Sequence, residues 1–159
     1  MPKTKSIMTT ARVKKRIVKR ITVLLADDNV IVRQAFRKIL KEEADLKVVG
    51  EAKDGVQAVA LAAKLHLAVV LMDVSMPRLN GLEATRQILQ ADPAAKVLML
   101  SAHSDEAYIT AAVNAGAMGY LIKQESADIL GQAIREVHQG KACFSASIPK
   151  RLRKLNRKK

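Results

Sequence analysis

The chain of 159 residues holds no tryptophan, only two tyrosines, two phenylalanines and a single cysteine. With aromatics at 3% of the residues, its core has to be assembled from aliphatic side chains and methionine. Cys143 has no second cysteine to pair with, which excludes an internal disulfide and suits a reducing compartment. No apolar run approaches the ~18 residues of a membrane span. The first such run, "ITVLLA" (21–26), stops at two aspartates and is too short for the core of a secretory signal. A soluble, cytoplasmic protein is the expectation. Acids are missing at both ends, where residues 1–20 and 141–159 each carry eight Lys or Arg and no Asp or Glu. The formal net charge of +13 therefore belongs to the ends, since 21–140 holds twelve basic residues against all fifteen acids. The expected division is a basic extension over 1–20, one domain over 21–140 and a basic tail over 141–159.

Between the ends, short apolar runs alternate with longer segments of helical period. The strand candidates are "ITVLLA" (21–26), "KVVGEA" (47–52), "AVVLMD" (68–73), "KVLMLS" (96–101) and "GYLIK" (119–123). Runs that are apolar throughout, rather than alternating, point to a parallel sheet covered on both faces. Asn29 can cap a helix with Val32, Phe36, Ile39 and Leu40 on one side. Asp54 can cap the next, with Val56, Val59, Ala60 and Leu65 facing inward. Asn80 and Glu83 have capping-box spacing, and "ADP" (91–93) ends that helix. Ser104 opens a helix that Gly116 can close. Ser126 opens the last, with Ile129, Leu130, Ala133, Ile134 and Val137 on its buried side. Five strands, each followed by a helix, predict a doubly wound α/β domain whose crevice lies beyond the strands' carboxyl ends.

The strand ends carry chemistry. The first gives Asp27 and Asp28, the third Asp73, the fourth Ser101 and the fifth Lys123. Three carboxylates ~5 Å apart, at an effective dielectric of ~20, repel by roughly 3 kcal/mol per pair. They need a cation, or one must take up a proton. Oxygen-only ligation, with no His or Cys, selects magnesium or manganese rather than zinc. An ammonium and a hydroxyl opposite such an ion are the other donors that a transferring phosphoryl group needs. Asp73 is then the candidate nucleophile, because it ends the run expected at the centre of the sheet. Taken alone, Asp27 and Asp28 could instead cap the first helix.

The blocks "LLADDN" (24–29), "VVLMDVSMPRLNGLEA" (69–84), "LMLSAHSD" (98–105) and "AGAMGYLIK" (115–123), in that order, resemble the response regulator receiver domain across residues 21–140. The resemblance implies a flavodoxin-like, five-stranded parallel sheet of order 2-1-3-4-5 with helices on both faces. It implies that Asp73 accepts a phosphoryl group from a histidine kinase or phosphotransfer protein. Magnesium, or manganese, would be held by Asp28, Asp73 and the backbone carbonyl of Ser75, with Asp27 beside it. Lys123, Ser101 and Ala102 would bind the phosphoryl group, and Ser101 with Tyr120 would form the switch. Ser75 and His103 occupy positions that tune dephosphorylation in similar receivers. Such a protein assists its own modification and is not expected to be an enzyme in the ordinary sense. The face of the fourth helix, fifth strand and fifth helix would contact a downstream protein or a second copy of the chain.

Departures from the family pattern are visible. Ser101 stands where Thr is more frequent. Gln124 follows Lys123 where many receivers have Pro, which removes the reason to expect a cis peptide there. "EAKDGVQAVALA" and "GLEATRQIL" are similar to the subgroup that ends in a helix-turn-helix domain, for which the residues after Gly140 are too few. A DNA-binding regulator acting through its tails or through an output domain lost or supplied separately is one alternative. A pseudo-receiver with an idle pocket is another. In the tails, Val13, Ile17 and Ile21 and then Ile148, Leu152 and Leu155 recur at helical spacing among Lys and Arg. Two readings stay open for them: amphipathic helices on nucleic acid or an anionic membrane, or solvated flanks.

Overall fold

The structure is a computed structural model and describes residues 19–154. Val13 and Ile17, and with them most of the basic extension, lie outside the described residues, as does Leu155. Six strands alternate with helices: β1 (Ile21–Ala26), α1 (Val30–Lys41), β2 (Leu46–Ala52), α2 (Gly55–Lys64), β3 (Val69–Met72) and α3 (Gly81–Ala91). They continue with β4 (Val97–Ser101), α4 (Glu106–Ala115), β5 (Gly119–Ile122), α5 (Leu130–His138), β6 (Cys143–Phe144) and α6 (Lys150–Arg153). All neighbours pair in parallel, in the order β2-β1-β3-β4-β5-β6. The expected order is present, extended by a sixth strand on the outer edge of β5.

The uninterrupted apolar runs have the expected cause. Every residue of β3, β4 and β5 is buried, because helices cover both faces. Phe36 and Leu40 of α1 and Leu130, Ala133, Ile134 and Val137 of α5 pack on one face with Leu71, Leu98 and Leu121. Ala58, Ala84, Ile88, Ile109 and Ala112, from α2, α3 and α4, close the other over Met72, Met99 and Tyr120.

The capping signals divide. Asn29 accepts from the amides of Ile31 and Val32, Asp54 from Gln57 and Asn80 from Glu83. Gly116 closes α4 in the left-handed conformation at φ 106°. Ser104 and Ser126, however, do not open their helices. Asp105 occupies the start of α4, and the Ser126 hydroxyl donates to Lys123 O at 2.8 Å. Val56, Ala60 and Ile129, expected inside, are exposed, while Ala58 takes the inner position on α2.

The largest difference concerns residues 141–154. They form neither a free amphipathic helix nor a solvated flank: β6 pairs with β5, and α6 lies against α4. Ile148 and Leu152 are 2% and 5% exposed, facing the protein's own core. Burying each side chain contributes roughly 1.5–3 kcal/mol, an upper figure if the unfolded chain is itself compact. The packed chain thus runs past Gly140, where the sequence suggests a boundary.

Candidate functional site

The parallel register brings the acidic residues together. Ala26 pairs with Met72, so Asp27 and Asp73 leave adjacent strands side by side. Backbone bonds fix both: the Asp73 amide donates to Ala26 O at 3.0 Å, and the Asp27 amide to Ala52 O at 2.9 Å. One carboxylate oxygen from each of Asp27, Asp28 and Asp73 lies within 4.8 Å of the others. Asp27 and Asp73 are buried, whereas Asp28 is exposed at the mouth. Ser101 pairs with Ile122, so Lys123 leaves β5 at the same end of the sheet at which Ser101 ends β4.

Lys123 Nζ reaches Asp27 Oδ2 at 2.6 Å and Asp73 Oδ2 at 3.4 Å. The other Asp27 oxygen, Oδ1, accepts from the Asn29 amide at 2.9 Å. Burial pushes the Asp73 carboxyl up to about 6, against the pull of the Lys123 ammonium; the charge of Asp27 adds to the rise and the Ser75 amide lowers it. The three acids provide a hard, all-oxygen donor set that could hold a metal ion.

The loop behind Asp73 is held by close backbone approach. The Gly81 amide donates to Val74 O at 2.7 Å. A Cβ on Gly81 would stand 1.9 Å from Asp73 O, so only glycine lets α3 begin so near the end of β3. Arg78, in the same loop, adopts φ 68° and pairs with the buried Asp54 at 3.5 Å. A left-handed arginine costs roughly 1–2 kcal/mol, so this turn is held by its surroundings. Within the described residues every peptide bond is trans, that between Lys123 and Gln124 included.

On the other side of the mouth, His103 joins several parts. Its Nε2 and Ser75 Oγ are 2.8 Å apart, and its ring stacks on Tyr108 at 4.2 Å between centroids. Its amide donates to Ser101 Oγ at 3.1 Å, and its carbonyl accepts the Tyr120 hydroxyl at 2.7 Å. Tyr120 is fully buried; desolvation, with the charges of Asp73 and Asp105, holds its phenol above the usual range. Ser101, Tyr120, Ser75 and His103 are thus physically connected. Ala102 lies exposed between Ser101 and His103.

Two contributors escape a reading by strand ends. Arg33 donates from Nη1 to Asp27 O at 2.6 Å and from Nε to Glu51 at 3.2 Å. Its position four residues past the Asn29 cap is the available signal. Tyr108 is found only through the stacked ring.

A family profile of the response regulator receiver domain matches residues 23–135. The chain belongs to that family. It is 40% identical over 139 residues to the transcriptional regulatory protein DegU of Brevibacillus brevis, covering 87% of this chain and 59% of DegU. The chain thus spans a little under two thirds of the curated relatives it matches. A LuxR-family two-component response regulator from Aurantimonas superposes with a TM-score of 0.80 at 33% identity, covering 89% of this chain and all of that one. The isolated receiver domain of RcsB from Salmonella enterica serovar Typhimurium, solved in the presence of the phosphomimetic BeF3-, gives 0.76 at 27% identity, covering 84% and 99%. The domain is therefore the receiver of a two-component response regulator. No helix among the described residues is long and apolar enough to cross a membrane.

Proposed function

We propose that this receiver accepts a phosphoryl group on Asp73 from a histidine kinase or phosphotransfer protein. The observation that carries the reading is Lys123 at 2.6 Å from Asp27 and 3.4 Å from Asp73, within a triad of carboxylates. A carboxylate oxygen of Asp73 attacks phosphorus, and the new P–O bond replaces the P–N bond of the donor phosphohistidine. The imidazole, already protonated on its other nitrogen, takes the P–N electron pair and leaves as the neutral ring. Lys123 and the Ser101 hydroxyl bind phosphoryl oxygens, together with the Ala102 backbone. Asp28, Asp73 and the Ser75 carbonyl, with Asp27 beside them, would hold magnesium. When bound, the ion would draw negative charge from the phosphoryl oxygens. Val30 and Ile31, 52% and 73% exposed immediately after Asp28 and Asn29, offer the donor protein an apolar contact beside the mouth.

Small-donor phosphorylation tests the assignment. The parent chain should acquire a hydroxylamine-sensitive label, and Asp73→Asn should abolish it; unchanged labelling of Asp73→Asn would refute the reading. Magnesium calorimetry separates it from an idle pocket, because a working site binds the ion at sub-millimolar to millimolar concentration and an idle one does not.

Regulation of transcription is the output this reading favours, since DegU is named for that role and shares 40% identity over 139 residues. DNA contact would come through the basic ends or a separate output domain. A salt-dependent mobility shift with duplex DNA would support contact through the ends. The face of α4, β5 and α5 would meet a downstream protein or a second copy.

A further inference from the structure

The outer edge of β5 is occupied by the chain's own residues. The Ser145 amide donates to Tyr120 O at 3.0 Å, and the Ser145 hydroxyl accepts from the Ile122 amide at 2.8 Å. Ser145 is itself fully buried. The approach is closer than a residue with a side chain permits, because a Cβ on Gly119 would stand 1.9 Å from Cys143 O. Beyond β6, Ser147 Oγ donates to Glu125 at 2.7 Å and Arg151 pairs with Glu106 at 2.5 Å. These anchors fall on either side of Tyr120, one just past Lys123 and the other at the start of α4.

The consequence falls on Tyr120. Met99, Tyr120 and Phe144 stand in register on three adjacent strands, on the sheet face where Ile148 and Leu152 pack. With β6 present, Tyr120 belongs to an interior strand, and its hydroxyl is directed to His103 O. The ring shares one core cluster with Phe144, Ile148 and Leu152, so residues 143–154 contribute to its burial. An inward ring, in turn, keeps His103 where its amide bonds Ser101 Oγ and its imidazole meets Ser75.

We propose that residues 143–154 are an intramolecular strap that holds Tyr120 inward and so favours the arrangement of Ser101, His103 and Lys123 that receives a phosphoryl group. The proposal rests on Asp73 being the acceptor. Linkage then requires reciprocity: whatever factor the strap adds to phosphoryl binding, phosphoryl binding adds to strap closure. The strap is thus an internal effector rather than a passive cover on a sheet edge.

Hydrogen exchange on the full chain, with and without magnesium and beryllium fluoride, tests this. The amides of Ser145 and Ile122 should exchange about fivefold or more slowly with the phosphate mimic. Leu152→Ala should speed exchange across 143–154 and weaken beryllium fluoride binding by a matching factor. Should Leu152→Ala unfold, Arg151→Glu loosens the strap from its exposed end, and adding Glu106→Arg should restore both measurements. A variant whose strap exchanges faster while beryllium fluoride binds as tightly as in the parent would overturn the coupling. A parent chain that takes no label at Asp73 would overturn the underlying function as well, so the two failures differ.

Discussion

Lys123 is nearer to Asp27 than to Asp73, at 2.6 Å against 3.4 Å. Its ammonium therefore compensates chiefly Asp27, and Asp73, the proposed acceptor, keeps weaker electrostatic engagement. That division suits a nucleophile. A carboxylate locked in a short ion pair is stabilised in its ground state and reacts more slowly, whereas one only steadied at a distance loses less on attack.

Lys123→Ala should separate the two uses of that ammonium. Labelling of Asp73 by a small donor should fall about 10²-fold, the usual effect of removing one preorganised donor to transition-state charge. Magnesium should bind more tightly, because a competing cation has left the carboxylates. A variant that labels at the parental rate would remove Lys123 from the phosphoryl site.

The Asp73 carboxyl, raised from 3.8 to about 6 by burial, links stability to pH. Its folded value lies above its unfolded one, so the folded state holds the proton more tightly. That contribution is complete below pH ~4 and is lost as pH rises through ~6, a change of about 3 kcal/mol. In metal-free buffer, Asp73→Asn should therefore gain about that much on the parent between pH 4 and 7. Magnesium should shrink the difference by favouring the ionised carboxylate. Chemical denaturation at both pH values, with and without chelator, measures it.

Ser75 and His103 meet across the mouth at 2.8 Å. Ser75→Ala or His103→Ala should open the approach to Asp73, shortening the lifetime of the acyl phosphate several-fold while costing about 1 kcal/mol of stability. Because one contact is lost in either case, the double variant should exceed the larger single effect only slightly. Decay of labelled protein after donor removal gives the lifetimes, and additive effects would show that the two side chains act apart.

The acidic cluster and its lysine were legible because Asp27, Asp73 and Lys123 each follow a strand, and in a parallel sheet all strands end on one side. Knowing that Asp27, Asp73, Ser101 and Lys123 follow apolar runs is enough to gather them. The Asn29, Asp54 and Asn80 caps were legible for a local reason, since each side chain reaches an amide two or three residues on. Ser126 has the same chemistry but spends its hydroxyl on Lys123 O, a competition that composition does not reveal. β6 was illegible because two residues, Cys143 and Phe144, carry no period. Their pairing is set by Gly119, more than twenty residues away. The same distance hides Ser145, and Tyr108 shows itself only by stacking on a ring in another segment.

The scarcity of aromatic residues acquires a use once their positions are known. Both tyrosines of the chain touch His103, Tyr108 through its ring and Tyr120 through its hydroxyl, and there is no tryptophan to mask them. Intrinsic ultraviolet emission from this protein is thus a signal from one neighbourhood. Any event that rearranges the surroundings of His103 will be recorded by the native chain without a dye or label.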